Sequence, residues 1–209
     1  LGIGGLIPKR YKELYDRALL FGHYNKRCKQ DIDPKSPYYD YAVTGFGLKL
    51  RAHPLAIAIA NEQFGHLDNW LIAKNQNATY LTSLLEGIEG ISLPCHDRHV
   101  LPSWYAYTIQ FHKDKFDVST DQLCKEFVEE GILDADKPGS TCPLNMLKLF
   151  QNPSLLYPEY AKQVSYQIGD FPNAELFFER IIKLPIDIYT SDKYKKVLNE
   201  YAQVIKRVV

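Results

Sequence analysis

The chain has 209 residues, 45% of them hydrophobic, and its 25 basic side chains balance 25 acidic ones. That length allows one large or two small globular units, and zero net charge argues against a nucleic-acid-binding protein, which carries a basic excess or stripe. No apolar run reaches the roughly 20 residues of a membrane span, and no charged region followed by an apolar core marks a secretory signal.

Cys28, Cys95, Cys124 and Cys142 form no CxxC pair. Neither a zinc ribbon nor a disulfide framework is expected; reduced thiols in a cytoplasmic protein are. Met146 is the only methionine and residue 1 is leucine. The chain is therefore expected not to begin at a translation start, but to be a product of processing or proteolysis, or a piece whose N-terminal part is left off.

LGIGGLI reads as a short strand with a glycine turn. Pro8 opens a helix predicted to run to about Phe21, in which Tyr11, Leu14, Tyr15, Ala18 and Leu19 recur at helical spacing. Gly22 ends it. Residues 28–44 hold Pro34, Pro37 and the cluster Tyr38, Tyr39 and Tyr41, and read as an irregular loop whose tyrosines pack against another surface.

Gly45 to Phe64 reads GFGLKLRAHPLAIAIANEQF: a glycine-rich basic loop directly before an Ala/Ile-rich helix. Gly45 and Gly47 permit close backbone approach. Lys49, Arg51 and His53 supply cationic or donor groups just ahead of the helix, a combination suited to a phosphate-bearing ligand. The helix starts at Pro54 and reaches about Glu86, with a bend or division expected at Gly65. Asn77-Ala78-Thr79 has the form of a glycosylation acceptor but falls inside this helix and is read as chance.

After Gly87 and Gly90 the pattern changes to strand, turn, strand: ISLP, a polar turn at His96–His99, then Trp104–Phe111 in near alternation. On that strand Tyr105 and Tyr107 are expected to share a face opposite Trp104. Ser119-Thr120 caps a helix to about Glu130, stopped by Gly131. Residues 134–158 read as a long irregular connection of the functional or interfacial kind. Two more helices are predicted near 174–182 and 191–208, separated by the extended KLPID. The expected boundary lies near Gly90, between domains 1–90 and 91–209.

This order of signals resembles the C-terminal half of the DegT/DnrJ/EryC1/StrS family of pyridoxal-phosphate-dependent sugar aminotransferases. LGIGG is similar to the family's G-E-G-G strand, and Gly47–Arg51 (GLKLR) to its G-x-N-x-R loop. PLAIAIANEQFGHLDN resembles the Ala-rich helix ending in Q-L-x-x-L-D, FPNAELFFERIIKLPI the P-x-A-E segment, and SDKYKKVLNEYAQVIKRVV the final helix. There are departures. Ile3 stands where the family has glutamate, Lys49 where it has asparagine, and His53-Pro54 replaces polar residues.

The resemblance implies an α/β fold: the C-terminal part of a fold-type I aminotransferase, with long helices and a small antiparallel-sheet α+β domain. Residues 1–90 would be a remnant of the large cofactor-binding domain, expected to leave an apolar patch exposed or covered by association. It implies amino transfer from an amino acid, glutamate, to a keto sugar or nucleotide-linked keto sugar in polysaccharide or antibiotic pathways. The enzyme would be a cytoplasmic homodimer, with no nucleic acid or membrane partner. Lys49 and Arg51 would contact the cofactor phosphate across the dimer. The Schiff-base lysine and the groups around the pyridine ring would lie upstream of Leu1, so no catalytic or metal-binding residue is assigned here. The isolated chain is expected not to transaminate or to hold the cofactor alone. The rival reading is a non-catalytic nucleotide-sugar-binding or assembly module. It would hold if the reading frame began near Leu1.

Two further groups invite chemistry. Cys95-His96-Asp97-Arg98-His99 offers zinc-ligating side chains, but the spacing is too tight to close a tetrahedron and a solvated turn is expected. Cys142 beside Pro143 has no His or Asp spacing that would make it a nucleophile. The 140–143 loop borders the substrate pocket only by resemblance.

Overall fold

The computed structural model describes residues 11–209 except Tyr24, Phe46, Lys49, Arg51, Lys113, Asp114, Phe116, Asp117, Val118, Ser140 and Thr141. The predicted LGIGGLI strand thus lies outside the described residues. Two compact units divide the chain, Leu1–His66 and Leu67–Val209.

In the first unit helix α1 spans Lys12–Gly22 and closes with His23 N–H donating back to Leu19 O at 2.7 Å. Its buried face is not the predicted stripe. Asp16 and Leu20 are buried, whereas Tyr11 and Leu14 are 62% and 58% exposed. A buried carboxylate needs partners, and Asp16 has them: Lys12 one turn earlier and the Ser36 hydroxyl at 3.0 Å. A short helix α2, Lys26–Asp31, forms where a loop was expected. Its residues, KRCKQD, contain neither glycine nor proline, and Asn25, at φ +61, turns the chain into it with its N–H on Ala42 O (2.8 Å). Cys28 on α2 packs with Leu20, Ile32 and Ala42 in a small core joined by Tyr38 and Tyr39. Tyr41 stays 58% exposed, so the tyrosine cluster is only partly packed.

Helix α3, Pro54–Leu85, passes Gly65 without a break. One glycine costs about 1 kcal/mol of helix propensity, too little to divide a helix of this length. Its first half is open to solvent, with Leu55 at 68%, Ile57 at 51% and Phe64 at 61% exposure.

The second unit is built on a three-stranded antiparallel sheet in the order β1 (Ile91–Ser92), β2 (Tyr107–Phe111), β3 (Ile181–Leu184). Ile91 pairs with Phe111, and Tyr107 and Ile109 pair with Leu184 and Ile182. Strand alternation sends Tyr107, Ile109 and Phe111 into the core. There they meet Ala78, Leu81 and Leu85 of α3, Leu123 and Phe127 of α4 (Thr120–Glu129), and Leu198, Ala202 and Ile205 of α7 (Asp192–Val208). The predicted cap at Ser119 forms, its Oγ accepting Gln122 N–H, and Ser191 caps α7 in the same way, its Oγ accepting Tyr194 N–H.

Two expectations fail here. Helix α6 is Pro172–Arg180, and Ile181-Ile182, expected as its last residues, begin β3 instead. Ile182 enters the core, Ile181 is buried as well, and pairing of both residues with β2 outweighs helical continuation. Trp104 is not in the strand at all. At φ +47 it breaks the alternation, so Tyr105 is 89% exposed while Tyr107 is fully buried. The connection after α4 is largely irregular, as expected, with one bridge (Asp136 to Lys183) and a single-turn helix α5, Lys148–Gln151.

Candidate functional site

The GLKLR loop is held on the C-terminal end of α1. A Cβ on Gly47 would lie 2.3 Å from Leu20 O and 2.5 Å from His23 O, so no side chain fits there. From Gly47 the chain satisfies two carbonyls that the helix end leaves open: Leu48 N–H donates to Phe21 O (2.8 Å) and Leu50 N–H to Gly22 O (2.6 Å). Lys49 and Arg51 themselves lie outside the described residues. Their neighbours Leu50 and Ala52 line an open cavity of about 590 Å³, together with Tyr15, Leu19, His23 and Arg27. That volume falls in the small-molecule range.

Arg27 is the described cation of this cavity. Its Nε meets Asp31 Oδ2 at 2.6 Å, and Tyr15 donates its hydroxyl to the same oxygen at 3.3 Å. The Tyr15 hydroxyl and the Asp31 carboxylate hold the guanidinium in its charged form and push its pKa further up. Local pattern in the sequence does not mark Tyr15 or Arg27, because they meet only when α2 folds back beside α1. His53, which sits ahead of α3, does what the helix start needs: its Nδ1 accepts Leu55 N–H at 3.3 Å.

Pyridoxal phosphate requires an amine for its aldehyde as well as a cradle for its phosphate. No lysine is among the described residues of the cavity lining, and Arg27 is already paired with Asp31. These residues therefore do not fit the aldehyde end of that cofactor.

The other singled-out groups fall elsewhere. Cys95 to His99 is an exposed turn in which Asp97 Oδ1 accepts His99 N–H at 2.8 Å. Cys142 is a half-buried free thiol. Asn77 is 3% exposed, and both its amide hydrogens are used, on Asp187 O and Tyr189 O at 2.9 Å.

Comparison with known proteins places the chain. It belongs to the DegT/DnrJ/EryC1/StrS aminotransferase family, whose model matches residues 1–201. It is 24% identical over 208 residues to the uncharacterized protein MJ1066 of Methanocaldococcus jannaschii, covering 98% of this chain and 50% of that one. It is 25% identical over 196 residues to the spore coat polysaccharide biosynthesis protein SpsC of Bacillus subtilis, covering 91% and 46%. The crystal structure of S. venezuelae DesV in complex with a ketimine intermediate has the same fold over 94% of this chain and 45% of its own, with a TM-score of 0.59 at 23% identity. The chain spans about half the length of the curated relatives it matches. The mixed helical and three-stranded antiparallel architecture agrees with the expected aminotransferase fold. No described helix is long and apolar enough to cross a membrane.

Proposed function

We propose that these residues are the C-terminal portion of a pyridoxal-phosphate-dependent aminotransferase. The whole enzyme moves an amino group from an amino acid, glutamate, to a keto sugar or nucleotide-linked keto sugar. The observation that carries this reading is the family match over residues 1–201 in a chain half as long as its relatives. The uncovered first half of α3 supports it, since the exposed apolar side chains of Leu55, Ile57 and Phe64 are groups that a further part of the protein would cover. The name of SpsC adds a polysaccharide context.

In the whole enzyme the cofactor supplies an aldehyde for Schiff-base formation and a ring that takes up carbanion charge. The part of this chain is narrower. Gly47 seats the loop on α1, and Lys49 and Arg51 are assigned to the cofactor phosphate across a cytoplasmic homodimer. Lysine serves there as a point charge where the family has a directional amide. The lysine that forms the Schiff base is assigned to a segment outside these residues.

The test compares this chain with a version extended upstream along its reading frame. Both are titrated with pyridoxal phosphate and assayed for glutamate-dependent amination. The extended protein should form a borohydride-reducible absorbance band and turn over; the chain alone should do neither. In the extended protein, Lys49→Ala should weaken cofactor binding about tenfold or more, the worth of a charge-assisted contact. A stoichiometric reducible band in the chain alone overturns the reading. An upstream stop codon close to Leu1 would also overturn it, in favour of a non-catalytic binding module.

A further inference from the structure

In the second unit the chain between Phe150 and Tyr166 closes on itself, with Tyr166 N–H donating to Phe150 O at 3.0 Å. Pro153 is buried, and Asn152 Oδ1 accepts both the N–H and the hydroxyl of Ser154, at 3.1 and 2.5 Å. The outward stretch therefore starts from a braced turn. A single 3₁₀ turn, Pro158–Tyr160, and the half-buried Ala161 and Val164 lead the chain back. Between these two fixed ends stand Leu155, 92% exposed, and Leu156, 68% exposed.

Adjacent side chains that both stand in solvent diverge from a convex tip. A flat protein face meets one of them, whereas a fluid apolar medium takes both. Such a medium also requires backbone N–H groups to be paired before they enter it, and most of this tip meets that need. Pro153 and Pro158 carry no N–H. Leu156 and Tyr157 N–H both donate to Pro153 O, at 3.0 and 2.8 Å, and Tyr160 N–H donates to Tyr157 O at 3.1 Å. The rings of Tyr157 and Tyr160 follow directly, half exposed and with centroids 6.4 Å apart. Tyrosine concentrates where an apolar layer meets water, because its ring and its hydroxyl suit opposite sides. Exposed Lys148 and Lys162 bracket the tip against the single carboxylate of Glu159, a balance that fits a mildly anionic surface.

We propose that this loop docks the protein on a lipid surface, with Leu155 and Leu156 in the acyl boundary and Tyr157 and Tyr160 at headgroup level. The contact is peripheral and needs no membrane-spanning helix. It adds a partner that the family resemblance does not imply, and it does not rest on the aminotransfer reading. Its strength is that of one short anchor, reversible, with a partition constant on the order of 10⁴ M⁻¹.

The experiment sediments the chain with vesicles of phosphatidylcholine containing a quarter phosphatidylglycerol. Half of it should be bound at about 0.1 mM lipid. Leu155→Ser and Leu156→Ser should each weaken binding about tenfold or more, the worth of one buried leucine. Both positions are exposed, so the variants should fold. Leu133→Ser, at a 74% exposed leucine off the loop, should bind as the unaltered chain does. Tyr157→Trp should add a fluorescence, over that of Trp70 and Trp104, that lipids brominated on the acyl chain quench. No binding by about 1 mM lipid, ten times the expected half-point, overturns the proposal. So does equal binding by both loop variants. A dimer without vesicles that Leu155→Ser breaks would assign the loop to a second copy instead, and loss of vesicle binding in the upstream-extended protein would assign it to a further part of the chain; either result overturns the lipid assignment. None of these outcomes depends on amino transfer.

Discussion

Glu175 accepts the side-chain N–H of Asn145 at 2.5 Å, tying the first turn of α6 to a residue 30 positions earlier. The same carboxylate accepts Gly169 N–H with both oxygens (2.9 Å) and Phe171 N–H (3.2 Å). Asn145, 2% exposed, donates its other amide hydrogen to Gln167 O (2.9 Å). One acidic group thus pins both ends of an irregular segment that carries almost no regular structure of its own.

The pH dependence of this clamp follows. The Gly169 N–H, then the Asn145 amide and the Phe171 N–H, hold the Glu175 carboxyl below its ordinary value. A depressed folded-state pKa contributes stability that is complete above the unfolded value, about 4.3 for glutamate, and is lost as pH falls through the folded value. Protection factors for hydrogen exchange across residues 145–171, each taken against the intrinsic rate at the same pH, should therefore be high at neutral pH and fall below that range. Glu175→Gln should have low protection at neutral pH and lose the acid dependence of that protection. Equal protection in the variant would show that the segment is held by other contacts.

Asn77 makes a different kind of long-range tie. Replacing it with alanine removes the two 2.9 Å bonds that its buried amide donates to the Asp187 and Tyr189 carbonyls. Each such bond is worth about 0.5–1.5 kcal/mol net, so losing the two should lower stability by about 1–3 kcal/mol and the urea midpoint by a corresponding amount. Exposed Thr79, replaced by alanine, should shift stability by about 0.5 kcal/mol or less. Equal effects at the two positions would contradict the buried-bond account.

Gly47 and Gly45 look alike in the sequence, and the structure separates them. A Cβ at Gly45 would meet only the Leu20 side chain, at 3.3 Å, whereas at Gly47 it meets backbone oxygens at 2.3 and 2.5 Å. Backbone cannot turn aside as a side chain can. Gly47→Ala should lift the loop from α1, expose the Leu48 and Leu50 amides to exchange, and cost about 1–3 kcal/mol, as overpacking does. Gly45→Ala should leave both amides protected.

Much of this architecture was legible because its signals are local. Pro54 and the Ala/Ile-rich run mark α3, Ser119 and Ser191 mark the starts of α4 and α7, and alternation from Tyr107 to Phe111 marks β2. What was not legible depends on distant partners. Ile181 and Ile182 continue the helix by their own pattern, and become strand only because β2 stands ready to pair with them. Tyr11 and Leu14 fit a buried stripe, yet Lys12 and Ser36 make Asp16 the buried residue instead. Trp104 takes a left-handed conformation through contacts with Lys74 and Asn75, some thirty residues away. Of the candidate site, the loop's glycine and its basic neighbours could be read from composition and resemblance. Tyr15 and Arg27 could not, because tertiary folding alone brings them together.

The four thiols should differ sharply in reactivity, which depends on the thiolate and on access. Cys95 is exposed, Cys28 is fully buried, and Cys124 is half-buried with its pKa raised to about 11, chiefly by burial and then by Asp136 and Asp121. At pH 8 only roughly one Cys124 in a thousand would be ionised, against about a quarter of an ordinary thiol. Burial likewise pushes the Cys28 thiol up. Timed iodoacetamide labelling read by mass spectrometry should modify Cys95 first and leave Cys28 and Cys124 until the chain is unfolded. Raising the pH toward 11 in the folded state should bring Cys124 into reach before Cys28, because its thiol is partly accessible. Early labelling of Cys124 at neutral pH would mean that α4 opens readily from the sheet, contradicting the packing of Leu123 and Phe127 that holds it there.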